Sequence, residues 1–492
     1  VIFGNAFITF ISRILGFIRD ILMAQYIGAS WQMDAFLIVF KLPNLFRRLF
    51  ADGVFSQSLL PAAVSVKNPT AFLSNMYGLL CVALLLVSLP FICFPKFMLS
   101  LVVVGLDDGP VLTFAVEMLP VIFPYLALVS CCGFYTVQLN MKKRFGLGFA
   151  LPIVLNVCLI LGVWGVVMGV GDIRLLSYAV LLSGCLQVAF SMLAVSRLNG
   201  VILPSSPRID QDTLHMLKQA SMAFASQVIM YVSSCLELVL ASFMVSGSLS
   251  WLYYTDRLIY LPVGVISVTF ANILLPKLSI ASQQGCYKTL YQDLKAASKV
   301  IILISVPCAL GGYVYSHDIV TMLFRSDVFI EKDILATVSS LKVMMLALPA
   351  IMLNRVWMMV SYATKQAHYQ LKITVSCFMV SLVVSVLLMD HLGHVAISCG
   401  SFCGAWLQTV FLYHFISRRI SRSLIDTGFL VWVGLASLSM LWALVALNRV
   451  IFIAGIASKL QLFGLLLSKA LLSLAVFSAV FYGLINLSKK LK

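Results

Sequence analysis

The sequence predicts an all-α polytopic membrane protein with about fourteen transmembrane helices, because apolar runs fill it from end to end. Of its 492 residues, 61% are apolar and only 11% are charged, and the mean hydropathy is +1.04. A hydrocarbon core about 30 Å thick needs about 20 apolar residues per helix, and most runs reach that length. This composition excludes an ordinary water-soluble enzyme.

Polar clusters and Gly or Pro breaks set the boundary of each predicted helix in turn. The first three end before the small residues 28–30, the mostly polar residues 65–68 and the acidic pair 107–108. Basic clusters follow the fourth, sixth and twelfth helices, glycines follow the fifth and seventh, and an acidic stretch follows the ninth. The predicted spans are 1–27, 33–64, 72–103, 111–140, 148–169, 174–196, 213–244, 249–280, 296–324, 334–362, 370–389, 395–416, 428–448 and 460–486.

The basic residues give the orientation of these spans. The chain holds 34 Lys and Arg against 18 Asp and Glu, a net charge of +16. About nineteen of the cations lie in one set of alternate loops and about five in the other, so both termini are expected in the cytoplasm. No dense basic face or nucleic-acid-binding motif accompanies the charge, so we expect no nucleic-acid partner. Twelve cysteines without a C-x-x-C pair indicate packing residues and no metal site.

An internal repeat predicts two lobes. The segments Gly28–Pro61 and Gly247–Pro276 share a small-residue loop, an aromatic helix with an embedded Asp, a Leu-Pro and a Leu-Leu-Pro. Six helices separate equivalent points, so the copies are parallel repeats, which is typical of transporters that rock two lobes about a central site. The predicted organisation is an N-lobe at 1–197, a cytoplasmic linker at 198–212, a C-lobe at 213–419 and a terminal helix pair at 420–492.

The first two helices carry charges on one face at membrane depth. Asp34, Lys41 and Arg48 follow at seven-residue spacing, with Asp52 one turn later. In helix 1, Arg13 and Asp20 share a face, and Arg19 lies about 100 degrees away from Asp20 around the helix. These charges could simply pair and fasten helix to helix.

Cations outnumber carboxylates in this set, however, once Lys41, Arg47, Arg48 and the Asp256–Arg257 pair are included. A surplus of buried cations favours an anionic ligand, and the planar guanidinium suits a phosphate. Lys96, Lys342 and Lys469 lie nearer helix ends and are expected to snorkel to the interface.

The motifs around these charges resemble the MurJ/MviN family of lipid II flippases, within the superfamily of multidrug, oligosaccharidyl-lipid and polysaccharide exporters. The matching strings are SRILGFIRDILMAQYIGAS (12–30), DAFLIVFKLPNLFRRLFADGVFSQSLLP (34–61) and SGSLSWLYYTDRLIYLPVGVISVTFANILLPKLS (246–279). The resemblance covers essentially the whole chain and weakens after about residue 380. This sequence departs from the family pattern at two places. Asp52 stands where the family usually has Glu, and the loop around Lys365 lacks the proline that is common there in the family.

The resemblance implies that the protein moves lipid II to the outer leaflet of the bacterial cytoplasmic (inner) membrane for peptidoglycan synthesis. Arg13, Arg19 and Arg257 would hold the diphosphate. The expected cavity and gating charges are Asp20, Asp34, Lys41, Arg48, Asp52 and Asp256. The terminal helix pair would form a groove for the polyprenyl tail. Lipid II and membrane lipids are the expected partners, and a monomer working near the enzymes of cell-wall synthesis is expected.

No nucleotide-binding or catalytic motif occurs in the sequence. We therefore predict a transporter without a cofactor, and we do not expect an enzyme. Energy would come from a Na⁺ or H⁺ gradient or from the membrane potential, and Glu237 in predicted helix 7 is the candidate for ion coupling. Three alternatives remain: a flippase for another polyprenyl-linked glycan, a cation-coupled drug exporter of the same fold, and a scaffold without transport. The first apolar run contains Arg13 and Arg19 and is therefore unlike a cleavable signal peptide, and a few residues are expected before Val1.

Overall fold

The computed structural model describes residues 2–490 except 51–53, 107, 143, 145, 199, 215, 219–235, 285, 365, 421–423 and 451–458. Throughout these residues the regular secondary structure is helical and contains no strand, which confirms the all-α class. In the described part, eleven helices are long and apolar enough to cross a membrane. The count of fourteen spans remains a prediction.

The helices of the first half follow one another closely. They are α1 (Ile2–Tyr26), α2 (Trp31–Phe50), α3 (Val54–Ser65), α4 (Pro69–Cys93), α5 (Pro95–Val102), α6 (Pro110–Ile122), α7 (Tyr125–Met141), α8 (Gly146–Val167) and α9 (Leu175–Ser196). Residues 236–242 are also helical.

The second half is built the same way from longer helices. They are α10 (Ser248–Pro262), a π-helical turn (Val263–Ser267), α11 (Val268–Gln283), α12 (Tyr287–Val314), α13 (Ser316–Phe324), α14 (Glu331–Ala363), α15 (Ala367–Leu392), α16 (Val395–Ile420), α17 (Thr427–Val450) and α18 (Lys459–Lys490).

Two spans predicted as single helices are broken by prolines. The predicted helix 72–103 is divided into α4 and α5, because Pro95 begins α5 and Phe94 leaves the helical region at φ −128° and ψ 54°. The predicted helix 111–140 is divided between Ile122 and Tyr125, on either side of Pro124. The helix predicted at 296–324 begins earlier, at Tyr287, since its polar first turns extend past the apolar run, and it breaks at Tyr315.

The chain forms two compact units. The first comprises Val1–Ser250 and Ser326–Phe329, and the second comprises Trp251–Arg325 and Ile330–Lys492. In the first unit, α1 packs on α8, α8 and α7 pack on α9, and α2 packs on α6. In the second, α16 packs on α14 and α15, α12 packs on α14, and α17 packs on α18. The predicted lobe boundaries are a different division of the chain and remain a prediction.

The predicted linker is fastened to α4 within the first unit. The amide of Asn75 donates to the carbonyl of Arg208 at 2.7 Å and accepts from its N–H at 2.6 Å. It also donates to Thr213 Oγ1 at 3.0 Å. Ser205 donates from its N–H to the carbonyl of Ser74 at 3.1 Å, and a Cβ on Gly78 would overlap the Ser205 carbonyl. The glycine therefore lets the linker lie directly against the helix.

The terminal helices α17 and α18 pack on α12 and α13 around an apolar cluster that includes Tyr315, Met440 and Phe477. Lys469 lies fully buried in α18, with its ammonium 5.9 Å from the centre of the Tyr315 ring. The expectation that Lys469 snorkels was wrong, because neighbouring helices enclose the side chain along its length.

Candidate functional site

The two copies of the predicted repeat begin with the same backbone feature. Gly28 and Gly247 have φ values of 75° and 95°, a left-handed conformation that favours glycine, and a helix starts within a few residues of each. Pro43 lies inside α2 and Pro262 at the end of α10, followed in each copy by a second proline-bearing helix. Asp34 and Asp256 therefore lie on helices that each follow a glycine in the left-handed conformation.

Arg13 and Arg19 lie on α1 in different surroundings. Arg13 is exposed, whereas Arg19 and Asp20 are buried at 6% and 2% exposure. Arg19 donates from Nε and Nη2 to Oδ1 of Asp20 at 2.9 and 2.6 Å. In this conformation the guanidinium of Arg19 is held by a carboxylate, and Arg13 remains at the surface.

A residue that the sequence analysis missed completes this arrangement. Asn156 of α8 accepts from Arg19 Nη1 at 3.0 Å and donates from Nδ2 to the carbonyl of Ser12 at 3.0 Å. The available sequence signal was a lone amide inside the otherwise apolar run of α8. Spacing alone could not connect it to Arg19, since 137 residues separate the two.

Asp34 is bound by hydrogen-bond donors at the start of α10. Its carboxylate accepts from the N–H of Gly247 at 2.6 Å, from the N–H of Ser250 at 2.9 Å and from Ser250 Oγ at 2.6 Å. A carboxylate at a helix N-terminus satisfies N–H groups that have no partner within the helix. Asp34 therefore fixes α2 to the first turn of α10 through these three hydrogen bonds.

The remaining predicted charges of the first unit are partly described. Lys41 is half-buried in α2, and its charge interacts with the carboxylate of Glu237. Arg48 belongs to α2, but its side chain lies outside the described part, and Asp52 lies outside the described residues. The predicted ion-coupling carboxylate thus has an ammonium of the same unit in its field.

Arg257 and Asp256 lie on α10 in the second unit. Asp256 is exposed and Arg257 is half-buried. Arg257 donates from Nη2 to the Tyr253 hydroxyl at 3.0 Å, and its guanidinium carbon lies 4.5 Å from the centre of that ring. Elsewhere on the helix, buried Trp251 donates from Nε1 to Asp333 at 2.9 Å. These contacts fix the helix and leave Arg257 supported by an aromatic ring.

An apolar groove lies between α12 and α17. It has a volume of about 440 Å³ and is lined by Leu310, Val431, Gly434, Leu435, Ser437, Leu438 and Leu441. Apart from the hydroxyl of Ser437, the lining presents aliphatic groups, so the groove suits a hydrocarbon chain.

The long apolar helices, together with the charges on α1, α2 and α10, define the class of the protein as a polytopic helical membrane protein. A family model described as lipid II flippase MurJ matches residues 23–489, and the chain belongs to that family. Relatives named probable lipid II flippase MurJ include one from Buchnera aphidicola subsp. Baizongia pistaciae, 28% identical over 85% of this chain and 82% of its own. Another, from Helicobacter pylori, is 29% identical over 76% of this chain and 85% of its own.

Two solved structures place the fold. A chain described as lipid II flippase MurJ in an inward closed conformation has a TM-score of 0.84 at 20% identity, covering 97% of this chain and 98% of its own. A multidrug resistance transporter of the MATE family in an inward-facing conformation has a TM-score of 0.69 at 12% identity, covering 85% and 98%. The family resemblance expected from the motifs is confirmed.

Proposed function

We propose that this chain moves lipid II, the undecaprenyl-diphosphate-linked disaccharide-pentapeptide, from the inner to the outer leaflet of the bacterial cytoplasmic membrane by alternating access. The observation that carries the proposal is the family match over residues 23–489. The parallel sequence repeats, Gly28–Pro61 and Gly247–Pro276, support alternating access. Repeats of this kind occur in transporters that expose one site to each side of the membrane in turn.

Arg13, Arg19 and Arg257 hold the diphosphate in this proposal. An arginine stays protonated and offers two parallel N–H donors to phosphate oxygens. Exposed Arg13 and half-buried Arg257 support the assignment, since their side chains reach the protein surface. In this proposal Arg19 exchanges at least one hydrogen bond with Asp20 for a bond to phosphate. Binding of the anion then stabilises the ligand-bound conformation over the empty one, as a conformational switch requires.

The energy source in this proposal is the membrane potential, negative inside. It favours outward movement of an anionic headgroup by roughly 2.3 kcal/mol per charge per 100 mV. Coupling to Na⁺ or H⁺ through Glu237 is the alternative, and the field of Lys41 at that carboxylate counts against a bound cation there.

Both termini are cytoplasmic in this proposal, because the basic residues concentrate in the loops that share their side. The chain acts as a monomer beside the enzymes of cell-wall synthesis. The groove between α12 and α17 takes the polyprenyl tail while the headgroup crosses.

The test measures lipid II in the outer leaflet of cells depleted of their own flippase, using an added enzyme that cleaves lipid II from outside. Wild type is expected to restore cleavage, and the double variant Arg13→Ala, Arg257→Ala at equal membrane level is expected to abolish it. The matched control is Arg174→Ala, which removes an arginine that pairs with Glu117 and Asp172. Full activity of the double variant would refute the assigned arginines.

A flippase for another polyprenyl-linked glycan is the second candidate, because it would use the same diphosphate ligands. It becomes the leading function if well-inserted wild type leaves lipid II uncleaved. A drug exporter of cationic substrates is disfavoured by the excess of arginines, and a scaffold without transport is refuted by loss of activity in the double variant.

A further inference from the structure

Asn156 bridges two points on α1. Its Nδ2 donates to the carbonyl of Ser12, and its Oδ1 accepts from Arg19 Nη1, each at 3.0 Å. Ser12, Gly16 and Arg19 follow at intervals of four and three residues, so they lie on one face of α1. The amide therefore runs along this face from the residue before Arg13 to the guanidinium of Arg19.

The orientation of this amide is fixed by its partners. Its NH₂ group requires an acceptor, which the Ser12 carbonyl provides, and a flipped amide would turn NH₂ toward the guanidinium donors. A Cβ on Gly16 would lie 3.4 Å from Asn156 Nδ2, an ordinary van der Waals distance, so the amide packs directly against this face of α1. The amide is also buried, at 7% exposure.

The two groups that hold Arg19 differ in charge. Asp20 offsets the positive charge of the guanidinium, and it competes with any anionic ligand for the same N–H groups. Asn156 accepts a hydrogen bond from the guanidinium and adds no negative charge. Its bond to Arg19 can therefore persist when a phosphate takes N–H groups from Asp20.

We infer that Asn156 is a positioning residue for the anionic headgroup, holding Arg19 in place on α1 while the guanidinium exchanges Asp20 for a phosphate of the substrate. The inference rests on the proposed function, because it takes Arg19 as a ligand of the diphosphate. Asn156 acts through Arg19 and makes no bond to the substrate.

The test measures binding of lipid II and of undecaprenol, which has the tail but no phosphate, to the purified full chain in detergent. Asn156→Ala is expected to weaken lipid II binding about tenfold, the lower end of the effect of one hydrogen bond to a charged group. Asn156→Asp keeps an acceptor but adds a negative charge beside Arg19, so it is expected to weaken lipid II binding further. Undecaprenol binding is expected to be unchanged in both variants.

The matched control is Asn75→Ala, which removes another buried amide that bridges two segments, far along the chain from α1. It is expected to lower the melting temperature and to leave the ratio of the two affinities unchanged. That ratio separates positioning from a general loss of structure.

The outcomes distinguish this inference from the proposed function. If Arg13→Ala and Arg19→Ala lose lipid II binding while Asn156→Ala retains it, the positioning role is refuted and the proposed function stands. Equal weakening of both lipids by Asn156→Ala, together with a lower melting temperature, also overturns the positioning role. If all arginine variants bind lipid II normally, the assigned diphosphate site and this inference fail together.

Discussion

Replacing Asp34 with alanine should loosen the start of α10, because one carboxylate satisfies three donors there. Alanine leaves the N–H groups of Gly247 and Ser250 and the Ser250 hydroxyl without this acceptor in a buried position. Loss of a helix N-cap costs about 0.5–2 kcal/mol, and a hydrogen bond to a charged group contributes about 1.5–3 kcal/mol. The two values describe in part the same hydrogen bonds, so they are not added in full. We therefore expect the free energy of unfolding to fall by about 3 kcal/mol.

Thermal unfolding in detergent, followed by tryptophan fluorescence, measures this effect, and Trp31 reports directly from the first turn of α2. Ser250→Ala removes one of the three bonds, a hydrogen bond to a charged group, and should cost about 1.5 kcal/mol. The matched control is Asp108→Ala, whose carboxylate is 77% exposed and pairs with exposed Lys96, so its loss should cost less than about 1 kcal/mol. Equal melting of the Asp34 and Asp108 variants would refute the capping role.

Three further predictions concern packing and charge. Gly400→Ala should lower the melting temperature, because the added Cβ would overlap Ser385 Oγ and the carbonyl of Ser381, whereas Gly483→Ala, with open space around it, should not. Hydrogen bonds from two lysines of α12 hold the pKa of Asp426 below its ordinary value. The contact therefore stabilises the fold above about pH 4, and this stabilisation is lost as the pH falls through the lowered pKa. The difference in melting temperature between wild type and Asp426→Asn should therefore vanish in acid. Asn75→Ala should release the linker from α4 and increase its cleavage by added protease, and unchanged cleavage would contradict the contact.

The sequence predicted the helices well wherever polar residues bound an apolar run. Thus α9, predicted at 174–196, spans Leu175–Ser196, and α16 begins at the predicted residue 395. Proline breaks could not be predicted in the same way. Pro349 remains inside α14, whereas Pro95 begins a new helix, because the outcome depends on whether surrounding structure satisfies the freed backbone groups.

The candidate site was predictable only in part, for a related reason. Intramembrane charges are conspicuous in the sequence, so Arg13, Arg19 and Asp34 were identified from their cost in lipid. Their partners were not, because Asn156 and the backbone of Gly247 meet them through contacts between distant segments. Neutral amides and main-chain donors give no charge signal, and only the tertiary structure identifies them.

The buried lysine of α18 has a consequence for biosynthesis. On its way into the bilayer, α18 must carry Lys469 at a cost of up to about 2.5–3.5 kcal/mol, which its strongly apolar remainder offsets. Packing on α13 then places the ammonium 5.9 Å from the centre of the Tyr315 ring and in the field of Asp318. The last helix thus inserts because its other residues are apolar, but Lys469 becomes buried only once α13 has folded beside it. A defect in α13 should therefore leave newly made protein susceptible to membrane proteases.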